Sequence, residues 1–92
     1  METILAIALS ICPININPTV IHSSDTKIVS TGIYSYNYDI VVVNFNHHRW
    51  RVILAHELGH ACYIKYKHDY SEKSAIRFAN KVMRIYAGKN KK

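Results

Sequence analysis

The chain has 92 residues, 49% of them hydrophobic and 20% charged. That confines it to one domain with a small core and excludes a wholly disordered chain, and no apolar run approaches the ~20 residues of a membrane-spanning helix. Twelve Lys and Arg against six Asp and Glu give a formal charge of +6, so any carboxylate-dependent role must draw on Glu2, Asp25, Asp39, Glu57, Asp69 or Glu72.

In chain order, residues 3–11 read as a short helix stopped by Pro13. The stretch is preceded by Glu2 rather than a base and lacks a small-residue cleavage site, so it does not read as a secretory signal, and a cytoplasmic location is expected. Two cysteines, Cys12 and Cys62, are too few for the disulfide framework of a small secreted domain; one disulfide between them is the alternative, but two reduced thiols are the expectation, with Cys62 serving as a small buried apolar residue. Residues 19–22 are short and β-branched, and 23–25 read as a turn. Residues 28–34 form a strand candidate interrupted by Gly32, and 35–39 the turn of a hairpin. Residues 39–45 carry the strongest strand signal, a β-branched run bounded by turn formers.

Asn46 offers a cap for a helix from Arg49 to about Lys67, and Ser71 a cap for a last helix that reaches Ala87, with Gly88 as its stop and a basic tail over 88–92. The order predicts an α+β fold over residues 1–92: a short N-terminal helix, a small, mostly antiparallel sheet of two or three strands, then two helices packed on one face. On the last helix Lys73, Arg77, Lys81 and Arg84 share an arc of about 80°, opposite Ala75, Phe78, Ala79 and Val82. A solvated face explains that stripe without a nucleic-acid partner.

The chemistry concentrates in His56-Glu57-Leu58-Gly59-His60, an H-E-x-x-H pattern. Histidines at i and i+4 share one helix face about one turn apart, so both imidazoles can reach one Zn²⁺, while Glu57 stands beside the metal as a general base for water. Gly59 lowers helix propensity by roughly 1 kcal/mol, which points to close approach by another element. A catalytic zinc site has three protein ligands and an open position. Glu72, in the first turn of the last helix at the edge of its apolar face, is the favoured third ligand; His68 and Asp69 remain the alternatives.

Arg49 to His60, reading Arg-Trp-Arg-Val-Ile-Leu-Ala-His-Glu-Leu-Gly-His, resembles the zinc-helix segment of the ImmA/IrrE-type metallopeptidases, small gluzincin-like proteases common on mobile elements. Gly32-Ile33-Tyr34 and Ile40-Val41-Val42-Val43-Asn44 resemble the strand pair before that segment. Glu72, Ala75, Phe78 and Ala79 match a later family motif. The resemblance implies a minimal zinc metallo-endopeptidase with one Zn²⁺ per chain, His56 and His60 as ligands, Glu57 as base, a glutamate of the later motif as third ligand, and an intracellular protein, a regulator among the candidates, as substrate.

Other residues weigh less. Tyr34, Tyr36 and Tyr38 alternate, so an extended chain would put them on one face as cleft residues or as donors to a transition state. Tyr63, one turn beyond His60, is a candidate to support a ligand, and His68 to act as a transition-state donor. Arg49 and Arg51 call for tertiary partners such as Asp39 or Asp69, because cations are poorly placed at a helix start. His22, His47 and His48 read as surface residues. The strand before the motif helix is expected to take an extended peptide at its edge. The alternative function is a basic nucleic-acid- or protein-binding module with a structural or degenerate zinc site; neither a membrane nor nucleic acid is favoured as partner.

Overall fold

A computed structural model describes residues 2–25 and 32–90. The elements run α1 (Glu2–Ile11), β1 (Thr19–His22), β2 (Gly32–Ser35), β3 (Ile40–Val43), α2 (Trp50–Lys67) and α3 (Glu72–Asn90), an α+β arrangement. The part of the strand candidate at 28–31 lies outside the described residues; Gly32 opens β2.

The sheet is mixed, in the order β1-β3-β2. β2 pairs with β3 antiparallel, Ile33 opposite Val42 and Tyr34 opposite Val41, while β1 joins the other edge of β3 in parallel, Ile21 opposite Val42. Strand alternation sends Val41 and Val43 into the core and leaves Ile21 and Ile33 on the exposed face. The turn over 36–39 ends on Asp39 at φ 54°, and its carbonyl accepts the N–H of Thr19, tying β1 to the hairpin. Because 36–39 is a turn, Tyr36 and Tyr38 do not extend the face of Tyr34: both are exposed.

α2 lies at the centre. Its Leu54, Ala55, Leu58, Ala61 and Cys62 are wholly buried against the sheet, α1 and α3. Burial of each such leucine stabilises the fold by about 1.5–3 kcal/mol. α1 contributes Ile4, Ile7 and Ala8, the i, i+3, i+4 face of a short amphipathic helix. Cys12 and Cys62 are joined as a disulfide that fastens the end of α1 to α2, which overturns the expectation of two reduced thiols and removes the cysteine count as a ground for a cytoplasmic location. The cause is tertiary: α1 folds back on α2 and brings together residues 50 positions apart. Among the described residues, no helix is long and apolar enough to cross a membrane.

The helix ends differ in detail from the sequence reading. Asn46 does not cap α2: the side chain of Asn44 accepts the N–H of Asn46 in a local turn, and Arg49 occupies the cap position without a side-chain cap bond. α2 stops at His68, in the left-handed conformation with its N–H on the carbonyl of Ile64. α3 is capped as expected, the Ser71 hydroxyl accepting the N–H of Ser74. It runs on through Gly88 to Asn90, so Gly88 is no stop; it lacks positive φ, and the helix takes up the first part of the expected basic tail. Lys73, Arg77, Lys81 and Arg84 are all exposed on α3, away from the buried Ala75, Phe78, Ala79 and Val82.

Candidate metal centre

His56 and His60 stand one turn apart on α2, both half-buried, their rings edge-to-face with centroids 4.9 Å apart. α3 crosses above them and presents Glu72 from its first turn. Oε2 of Glu72 lies 2.7 Å from Nε2 of His56, and Oε1 lies 3.0 Å from Nε2 of His60. One ligand atom from each of the three residues falls within 4.8 Å of the others. Two imidazoles and a carboxylate converging on one point form a donor set that suits Zn²⁺. Partial burial alone would raise the Glu72 carboxyl, but the two histidines outweigh it and hold it below its ordinary value.

Gly59 makes the crossing of α2 and α3 close enough. A Cβ there would lie 3.1 Å from the Cα and carbonyl oxygen of Ala75 and from Cβ of Phe78. The small residue brings the backbone of α3 to the level at which Glu72 spans both histidines.

Glu57 points the other way around α2, toward β2. It is the one charged residue buried among those described. The backbone N–H of Tyr34 donates to its carboxylate, and burial pushes its pKa up, against the lowering pull of His56 and His60. β2 comes this near because Gly32 has no side chain: a Cβ there would lie 2.6 Å from Cγ2 of Ile53 and 3.2 Å from Cγ of Glu57. A lone glycine in a strand pattern is the sequence signal for such an approach.

A cleft of about 960 Å³ opens over this group, lined by Gly32 and Tyr34 of β2, by α2 and by Glu72. Tyr34 lines it, but its hydroxyl donates to Oδ1 of Asp39 at 2.7 Å, and Asp39 in turn holds Lys65 at 2.6 Å. Burial, then the Asp39 carboxylate, raise the Tyr34 hydroxyl well above its ordinary value, so it stays protonated and committed to Asp39.

Three other sequence candidates lie elsewhere. His68 is exposed at the end of α2, and Asp69 is bound by the hydroxyl of Ser74 and the N–H of Ser71, so neither joins the histidine pair. Tyr63 packs edge-on against Phe78 and Tyr66 and does not line the cleft. Nor do Asp39 and Asp69 serve as partners for the arginines: Arg51 lies over the rings of Trp50 and Tyr86.

Sequence reasoning missed the cleft's ends. Tyr70 lines one, edge-on to Tyr36, and His47, His48 and Arg49 line the other. No spacing rule marks these residues, because turns bring them to the cleft. The expected peptide-binding edge is also relocated. β3, the strand before α2, is paired on both sides, and the edge beside the cleft that pairs with no strand among the described residues belongs to β2. Comparison with protein-family models, curated proteins and solved structures finds no match to the chain.

Proposed function

We propose that the chain is a minimal zinc-dependent metallopeptidase of the ImmA/IrrE-like kind. The observation that carries this reading is the joint placement of Glu72 across both Nε2 atoms and of the buried Glu57 beside them, at the floor of an open cleft. His56, His60 and Glu72 would hold the ion, the three protein ligands that a catalytic zinc site uses. When bound, zinc polarises a carbonyl and lowers the pKa of water toward ~7.

The chain's own residues do the rest. The edge of β2 turned away from β3, unpaired among the described residues, takes an extended peptide over the histidines, while its Tyr34 N–H stays on Glu57. Glu57, its proton affinity raised by burial and its orientation held by the Tyr34 N–H, takes a proton from the attacking water. Water oxygen bonds to the peptide carbonyl carbon, the C–N bond breaks, and Glu57 returns the proton to the leaving amine. Tyr34, committed to Asp39, keeps β2 in place and transfers no proton.

The deciding experiment measures zinc content and hydrolysis of an unstructured protein such as casein. About one zinc per chain, with cleavage abolished by chelator and restored by zinc, is the expected result. Chelator-insensitive, salt-dependent DNA binding without cleavage would favour the basic binding module instead.

A further inference from the structure

Arg49, Ile53, His56, His60 and Ile64 follow one another at steps of three or four residues and all line the cleft, so α2 forms its floor lengthwise. The floor changes character along that line: cationic at Arg49, apolar at Val52 and Ile53, then the metal centre, then apolar at Ile64 and Tyr70. His47 and His48 flank Arg49, their rings stacked with centroids 4.7 Å apart, and Nδ1 of His47 accepts the backbone N–H of Arg49.

Arg49 is exposed and makes no ion pair among the described residues. The acids on the cleft wall are spent elsewhere: Glu57 is buried against Tyr34, and Glu72 lies between the two histidines. This end of the cleft therefore presents a guanidinium and two imidazoles with no carboxylate among the described residues that line it. A guanidinium pairs best with a planar carboxylate, which it can grip through two N–H groups.

We propose that this end is a subsite for an acidic side chain of the substrate. The inference rests on the peptidase reading and names its substrate class, an extended peptide with Asp or Glu at a set distance from the cut. Arg49 stands seven positions before His56, about 10 Å along a helix. An extended peptide advances about 3.3 Å per residue, so the acidic residue stands about three residues from the scissile bond, on the side over the start of α2.

Two measurements test it. In the first, zinc-loaded Glu57→Gln protein is titrated with fluorescent decapeptides of one neutral host sequence, each with a single Asp at a different position, and anisotropy is read. One Asp position should bind about threefold tighter than the neutral host, in keeping with an exposed ion pair. Arg49→Gln should abolish the gain, and Arg49→Glu should transfer it to Lys at the same position. In the second, cleavage sites in casein are mapped by mass spectrometry. Asp or Glu should be enriched about three residues from the cut, and Arg49→Glu should replace that enrichment with Lys or Arg.

Binding without preference for Asp, no binding at all, or a preference unchanged in both Arg49 variants overturns the subsite and leaves the metal centre standing. An Arg49-dependent Asp preference in a protein that cleaves nothing keeps the subsite and removes the peptidase reading. Zinc content and circular dichroism of each variant confirm that the fold is intact.

Discussion

His56 and Glu72 are 16 residues apart in the chain, yet Nε2 of one lies 2.7 Å from Oε2 of the other. The contact joins α2 to α3 across the glycine at position 59, and it is the tertiary relationship on which the candidate centre depends.

If these residues hold the ion, His56→Ala and His60→Ala should lose zinc, and Glu72→Ala should weaken its retention at least tenfold. His68→Ala and Asp69→Asn should keep it. Metal analysis after gel filtration in a weak competing chelator checks this; full zinc in Glu72→Ala would remove Glu72 from the ligand set.

Glu57→Gln keeps the size of the side chain and removes its basicity. Zinc content should be unchanged while hydrolysis falls by about 10²–10⁴-fold, the usual contribution of a positioned general base. Initial rates on casein read the effect, and an undiminished rate would show that another group moves the proton.

Gly59→Val should drive α3 away from α2, because even a Cβ would stand 3.1 Å from the backbone of Ala75. Overpacking of this kind destabilises by about 1–3 kcal/mol, and each kcal/mol lowers Tm by about 4–8 °C in a domain of this size. Zinc affinity should fall with it, since Glu72 moves with α3. Thermal unfolding followed by circular dichroism, with and without zinc, tests both.

The Cys12–Cys62 disulfide closes a separation of 50 residues. A loop of that length predicts about 4 kcal/mol of stabilisation by the chain-entropy argument. Dithiothreitol, or the double variant Cys12→Ser and Cys62→Ser, should lower the unfolding midpoint in urea accordingly. Thiol titration of the unfolded, unreduced protein should find no free thiol.

Acid should weaken the fold through two aspartates. Asp69 is held down to about 2 by the hydroxyl of Ser74 and the N–H and hydroxyl of Ser71. For Asp39, partial burial would raise the carboxyl, but Lys65 and the Tyr34 hydroxyl outweigh it and lower it. Both groups bind protons more weakly folded than unfolded. Their stabilisation is therefore complete above the unfolded value near 4 and is lost as pH falls from there toward 2. Urea unfolding across that range should show the decline, and Asp69→Asn with Asp39→Asn should flatten it.

What the sequence alone could determine was local. Helix periodicity within 18 residues puts His56 and His60 on one face and Leu54, Leu58 and Ala61 on another, and β-branched runs mark β1 and β3. The glycine at 59 announced close approach without saying of what, and the glycine at 32 marked only a break in a strand. Tertiary packing decided the rest. Glu72 rather than His68 or Asp69 stands between the imidazoles, because α3 crosses α2 at Gly59 while Asp69 is drawn into the cap of α3. Among the described residues the unpaired edge at the cleft belongs to β2, because β1 takes the far side of β3, and Cys12 finds Cys62 because α1 folds back. Spacing along one helix is set by backbone geometry that every residue shares. Contacts between elements depend on how whole apolar faces fit, and no short stretch of the chain carries that information.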